Sequence, residues 1–147
     1  MHPRLLPAVA IGGLAGAIVR WAITELVPSS TLPWAALIVN VAGSFLLGLL
    51  AAGLTRPPTT RRPRDAGAGA APPGGLADMA LFAGGTGFCG SLTTFSTVTV
   101  AIAEQLDAGD VLAGSGYVAL SIAAGLGAAA LGVVSARHRF RPGSGPA

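Results

Sequence analysis

Uncharged, mostly apolar stretches alternate with short charged segments along this chain. Leu5 to Val19 is 15 residues long and ends at Arg20, after which Trp21, Ala22 and Ile23 resume the apolar run. Leu26 to Thr55 is 30 residues, Met79 to Ala103 is 25 and Val111 to Ala136 is 26. A helix crossing the hydrocarbon layer needs about 20 such residues. Four spans are therefore expected, at about 5–26, 33–54, 78–103 and 111–136. Backbone polar groups in lipid must pair within their own segment, which favours helices, and no two-residue alternation supports strands. The pattern predicts an all-α integral membrane protein with one four-helix domain, residues 1–147. A rival for the first span is a cleaved leader, with Met1 to Arg4 as its basic start. The apolar stretch beyond Arg20 favours the span.

The connections differ in kind. Residues 56–76 carry Arg56, Arg61, Arg62 and Arg64 among Pro, Gly and Ala, and read as a flexible linker. Residues 137–147 carry Arg137, Arg139 and Arg141 and read as a disordered tail. The third connection holds Glu104, Asp107 and Asp110 and no base. All nine basic residues are Arg, against six acids, and only 10% of the chain is charged. Soluble domains average about 25%, so a charged-surface soluble enzyme and a chain disordered throughout are excluded. A single Cys excludes an internal disulfide. Arg4, the linker and the tail place eight Arg on one side of the membrane and none on the other. Both termini are thus expected in the cytoplasm, in a multi-pass protein of the cell membrane. The Arg-rich linker then reads as a topology signal and a contact for anionic lipid, and not as a nucleic-acid site.

Chemistry is sparse at membrane depth. No Asp, Glu, Lys or His lies in mid-span, where a proton-coupled transporter carries its proton. What remains is Arg20, Asn40, Ser44, Thr93, Thr94, Ser96, Thr97, Thr99, Tyr117 and Ser121. Nearly all are neutral groups that donate a hydrogen bond without bringing a charge. Such a ladder suits an anion, because it replaces hydration without trapping the ion. The competing reading is interhelical adhesion, worth about 0.6 kcal/mol per bond in lipid. Adhesion is preferred for Ser44 and Thr99, and the two readings stand level for Asn40.

The third span is poor helix material. Gly84 to Gly90 contains four Gly in seven residues, and Ser91 to Thr97 contains three Thr and two Ser in seven. A break near Gly90 to Thr94 is expected, with close backbone packing through small residues as the alternative. A break frees carbonyls that coordinate a small cation and N–H groups that attract an anion. Gly12/Gly16, Ser44/Gly48 and Ser121/Gly125 form small-residue packing faces on spans one, two and four.

These residues together resemble the Fluc/CrcB fluoride channel family. The resemblance rests on Gly12-Gly13-xx-Gly16-Ala17-xx-Arg20-Trp21, Val39-Asn40-xx-Gly43-Ser44-Phe45-xx-Gly48, Gly87 through Thr97, and Tyr117-xxx-Ser121. It covers all four spans and excludes the linker and tail. It implies an antiparallel dimer with two narrow fluoride pores and a central structural Na⁺. By position, Gly90 and Thr93 would give backbone carbonyls to the Na⁺. Asn40, Phe95, Ser96, Thr97, Tyr117 and Ser121 would form or orient the fluoride path, Phe95 through its positive ring edge. Arg20 would lie at a vestibule or hold structure. Two positions depart from the family's pattern: Val98 where a second Phe is expected and Gly125 where a Ser is expected.

The resemblance implies a passive, fluoride-selective channel that exports cytoplasmic fluoride and is not an enzyme. An antiparallel homodimer inserts one chain in both directions, whereas this Arg bias is one-sided. A partner chain that is an oppositely oriented paralogue is the resulting expectation, with a homodimer as the simpler one. The rivals in function are a small multidrug-resistance-type exporter, which lacks its required mid-span carboxylate here, and a non-conducting membrane assembly subunit.

Overall fold

The computed structural model describes residues 5–28, 32–54 and 76–139. Residues 56–75 of the expected linker, 140–147 of the expected tail, and Arg4 lie outside the described residues. The described chain forms five helices: α1 (Leu6–Leu26), α2 (Trp34–Leu54), α3 (Leu76–Leu92), α4 (Ser96–Asp107) and α5 (Val111–Arg139). Among the described residues there are four passes long and apolar enough to cross a membrane, α3 and α4 together making the third. The chain is a multi-pass membrane protein.

Proline and glycine chemistry sets the ends. Pro7 sits in the first turn of α1, where its missing N–H costs nothing. Val27, held extended before Pro28, stops α1. Between α4 and α5 the reversal is tight. Gly109 adopts φ +78°, its N–H donates to Leu106 O at 3.0 Å, and Asp110 N–H donates to Gln105 O at 2.9 Å. These two bonds satisfy carbonyls that the end of α4 would leave open. Asp110 then caps α5, its Oδ1 accepting from Ala113 N–H at 3.0 Å. Gly109→Ala forces a β-carbon into left-handed backbone. The expected result is a loss of about 1 kcal/mol in a detergent unfolding titration, with ion flux unchanged.

The packing inverts the order of a soluble protein. Large apolar side chains such as Ile11, Leu14, Trp21, Leu126 and Leu131 point outward, where lipid tails receive them without penalty. Small residues point inward and let backbones touch. α1 packs on α3 and α2 packs on α5 as the two closest pairs. A β-carbon added at Gly12 would meet the Gly84 carbonyl, one at Gly16 the Phe88 carbonyl, and one at Gly87 the Val9 carbonyl. Across α2 and α5, Gly48 lies on the Ala129 carbonyl and Gly132 on the Phe45 carbonyl. Such approach replaces the hydrophobic driving force that lipid cannot supply between helices. A small cluster of Ala36, Val98 and Tyr117 ties α2, α4 and α5 together.

Two boundaries differ from the sequence reading. Helix α5 continues through Arg137 and His138 to Arg139, where a disordered tail was expected from residue 137. Basic residues favour the negative end of a helix, and an Arg side chain is long enough to reach water from it. Helix α3 starts at Leu76, the last residue of the expected linker. The third span breaks as expected, at Thr93–Phe95, the C-terminal end of the Gly90–Thr94 window and just past the glycine run. Gly84, Gly85, Gly87 and Gly90 all stay helical. Gly84 and Gly87 pack on α1 and Gly85 lies under Leu50 of α2, so close packing describes the glycines and unwinding the threonines.

Candidate functional site

The break is held open by one side chain. Asn40, on α2, grips Thr94 with both ends of its amide. Its Nδ2 donates to Thr94 O at 2.8 Å, and its Oδ1 accepts from Thr94 N–H at 2.7 Å. In an unbroken helix Thr94 N–H would donate to the carbonyl four residues back, that of Gly90. Asn40 takes that donor, so the Gly90 carbonyl loses its helical partner. Thr97 N–H would likewise serve Thr93 O, but it faces Thr94 Oγ1 at 3.4 Å. The Thr93 carbonyl is released in turn. A β-carbon at Gly90 would meet nothing within 4 Å, so the space beside it is open.

Hydroxyls finish the join. Thr93 Oγ1 donates to Cys89 O at 3.0 Å and closes the last turn of α3. Thr94 Oγ1 lies 3.1 Å from Thr97 Oγ1 and 3.3 Å from Ser96 Oγ, over the first turn of α4. The positive end of α4 is thus dressed with hydroxyls rather than with a carboxylate.

Two cavities meet at Thr94. The first, about 410 Å³, lies between the end of α1 and the start of α2. Arg20, Thr24, Thr94, Ser96 and Thr97 supply its polar groups. It therefore combines a guanidinium, a helix N-terminus and four hydroxyls, a set suited to an anion. The second, also about 410 Å³, runs between α2, α3 and α5. Asn40, Ser44, Thr86, Thr93, Thr94 and Ser121 line it, together with Gly90 and Phe95. The clamped Thr94 is common to both.

The expected site residues therefore separate into groups. Arg20, Ser96 and Thr97 face the first cavity, while Asn40, Gly90, Thr93, Phe95 and Ser121 face the second. The Phe95 residue is 84% exposed on the single chain, at the break itself. Ser121 Oγ is buried and has no hydrogen-bond partner among the described residues. Tyr117 lines neither of these cavities. It is 3% exposed, and its hydroxyl donates to Pro33 O at 3.0 Å, anchoring α5 to the start of α2. Val98 is buried beside it. Sequence reasoning gave Thr94, whose backbone Asn40 holds, no place in the site, set Ser44 aside as adhesion and did not name Thr86 as a polar group; Ser44 and Thr86 both face the second cavity. One signal was available: Ser44 follows Asn40 by one turn and Thr86 precedes Gly90 by one turn, so each pair shares a helix face.

Among the described residues no group of three or more His, Cys, Asp or Glu could hold a metal ion. The freed carbonyls of Gly90 and Thr93 remain as oxygen ligands, the type a hard monovalent cation takes.

The sequence matches the family described as CrcB-like protein, Camphor Resistance (CrcB), over residues 7–133. A Bordetella petrii protein named fluoride-specific ion channel FluC is 38% identical over 134 residues, 91% of each chain. A Parasynechococcus marenigrum protein named fluoride-specific ion channel FluC 2 is 38% identical over 138 residues, covering 94% of this chain and 84% of its own. A Natronomonas pharaonis protein named fluoride-specific ion channel FluC 1 is 38% identical over 128 residues, covering 84% and 93%. With a match that takes in all four passes and both sides of the clamped break, the chain belongs to the CrcB-like family of membrane proteins.

Proposed function

We propose that the chain forms a passive fluoride channel, a transporter and not an enzyme, through which fluoride leaves the cytoplasm. The observation that carries this reading is the pair of cavities that share Thr94, each with hydrogen-bonding groups set in a mostly apolar wall, at the Asn40 clamp inside a break in a membrane-spanning helix. Fluoride is small and strongly hydrated, so closely spaced donors must replace its water, and neutral donors let it leave again. Relatives named as fluoride-specific ion channels support the choice of ion. Export makes chemical sense: neutral HF crosses membranes and dissociates in a less acidic cytoplasm. Arg20 would gather the anion at the first cavity. Asn40 retains one Nδ2–H beyond the one given to Thr94, and Phe95 would present its ring edge. Ser96, Thr97 and Ser121 would complete the path, and Tyr117 would orient it.

Two chains would associate antiparallel. Phe95 and the open side of Gly90 lie at the exposed break, where a second chain would cover them. A Na⁺ would then sit between the chains on the carbonyls of Gly90 and Thr93, linking the breaks without contributing to conduction. Eight Arg on one face favour a single orientation, with both termini in the cytoplasm of a cell whose surface membrane holds the protein. This bias supports an oppositely oriented paralogue as partner.

The test is fluoride release from reconstituted vesicles, read with a fluoride electrode and with charge balanced by a K⁺ ionophore. The expected result is rapid release without a proton gradient, with chloride retained. Release only with a paralogous chain present supports the mixed dimer, and robust release from this chain alone supports the homodimer. Release that requires a proton gradient would return the exporter reading, and no release in either preparation would return the assembly reading.

A further inference from the structure

We infer that Ser44 on α2 supplies the hydroxyl that α5 lacks at Gly125, so that the donor ladder for the permeating anion crosses from one helix to the other. The inference rests on the fluoride-channel reading and names a further residue of that path. Tyr117, Ser121 and Gly125 follow one another at single-turn spacing on α5 and share one face. Tyr117 spends its hydroxyl on Pro33 O. Ser121 Oγ is buried and unpartnered among the described residues, in the wall of the second cavity. At Gly125 the ladder on α5 ends, since glycine has no side chain.

The Ser44 hydroxyl occupies that level. A β-carbon at Gly125 would lie 3.6 Å from Ser44 Oγ, in ordinary contact. A serine oxygen at 125, one C–O bond further out, would fall in the same part of the cavity. Asn40 and Ser44 stand one turn apart on α2 and both line that cavity with Ser121. An anion leaving the Asn40 amide thus meets Ser121 from α5 and then Ser44 from α2. Adhesion is the reading the sequence favours for Ser44, but the close approach of α2 to α5 is carried by Gly48, whose backbone lies on Ala129.

The experiment compares wild type, Ser44→Ala, Gly125→Ser and the double variant for fluoride release from vesicles, with a melting curve in detergent for each. Ser44→Ala is expected to slow release about tenfold, the scale of one lost hydrogen bond to an ion. Its melting curve is expected to match wild type. Gly125→Ser alone should change release less than about twofold, and in the Ser44→Ala background it should restore most of the lost rate. Unchanged release in Ser44→Ala overturns the inference. So does a slow double variant, or a Ser44→Ala protein that melts early, since either makes Ser44 an adhesive group. Wild-type vesicles that keep their fluoride, alone and with a paralogue, overturn the channel reading and this inference with it.

Discussion

Asn40→Ala is expected to reduce fluoride release about 100-fold while the protein still assembles. The Asn40 amide satisfies two backbone groups at once, Thr94 N–H and Thr94 O, at 2.7 and 2.8 Å. Each, left unsatisfied, costs about 1–3 kcal/mol. Lipid tails offer no hydrogen-bond partner to take over. The chain avoids the cost by returning Thr94 N–H to Gly90 O and closing the helix across the break. That closure withdraws both freed carbonyls, removes the positive end of α4 from the first cavity and seals the point where the cavities meet. A change of about 3 kcal/mol corresponds to about two decades in rate. The measurement is initial fluoride release per protein, with elution volume in detergent as the control for assembly. A rate within threefold of wild type would show that the amide does not hold the pathway.

Gly16→Val is expected to leave no folded protein to assay. Gly16 is buried in α1, and its missing β-carbon faces the Phe88 carbonyl and, at 3.1 Å, the Leu92 backbone nitrogen. Both neighbours are main-chain atoms of α3, so no rotamer change relieves the clash. Overpacking a core by a few carbons costs about 1–3 kcal/mol where side chains give way. Here two helices must separate along their length, and every other glycine contact between α1 and α3 opens with them. Gly127→Ala is the matched control: nothing lies within 4 Å of a β-carbon there. It should raise stability slightly, because alanine is the better helix former by about 1 kcal/mol. Monodisperse recovery from detergent separates the outcomes, and a Gly16→Val protein that elutes and melts like wild type would refute the packing account.

Much of this architecture was legible in the residues. The four passes follow from run length and charge, because lipid tolerates neither unpaired backbone nor isolated charge. The broken third pass was legible from the glycine and threonine content of residues 84–97, and the break falls at the C-terminal end of the expected Gly90–Thr94 window. Glycine lowers helix propensity, yet Gly87 lies against α1 where only glycine fits, and Gly84 lies tightly against it. The unwinding falls instead on Thr93–Phe95, where an amide from another helix competes for the backbone. The site residues were legible as a set of neutral donors, but not their division of labour. Tyr117 and Ser121 look equivalent in sequence, one turn apart. In the structure one anchors a connection, and the other lines a cavity with no hydrogen-bond partner among the described residues.

Run length, charge placement and the scarcity of intramembrane acids determined by themselves that this is a four-pass helical membrane protein built on uncharged hydrogen-bond donors. These are properties of each segment alone in lipid, and need no knowledge of its neighbours. Only the tertiary structure decided where the third pass opens, which carbonyls it frees and that Ser44 stands opposite Gly125. Each of these depends on an atom delivered by a different helix, and the relative height and rotation of packed helices is written in no single segment.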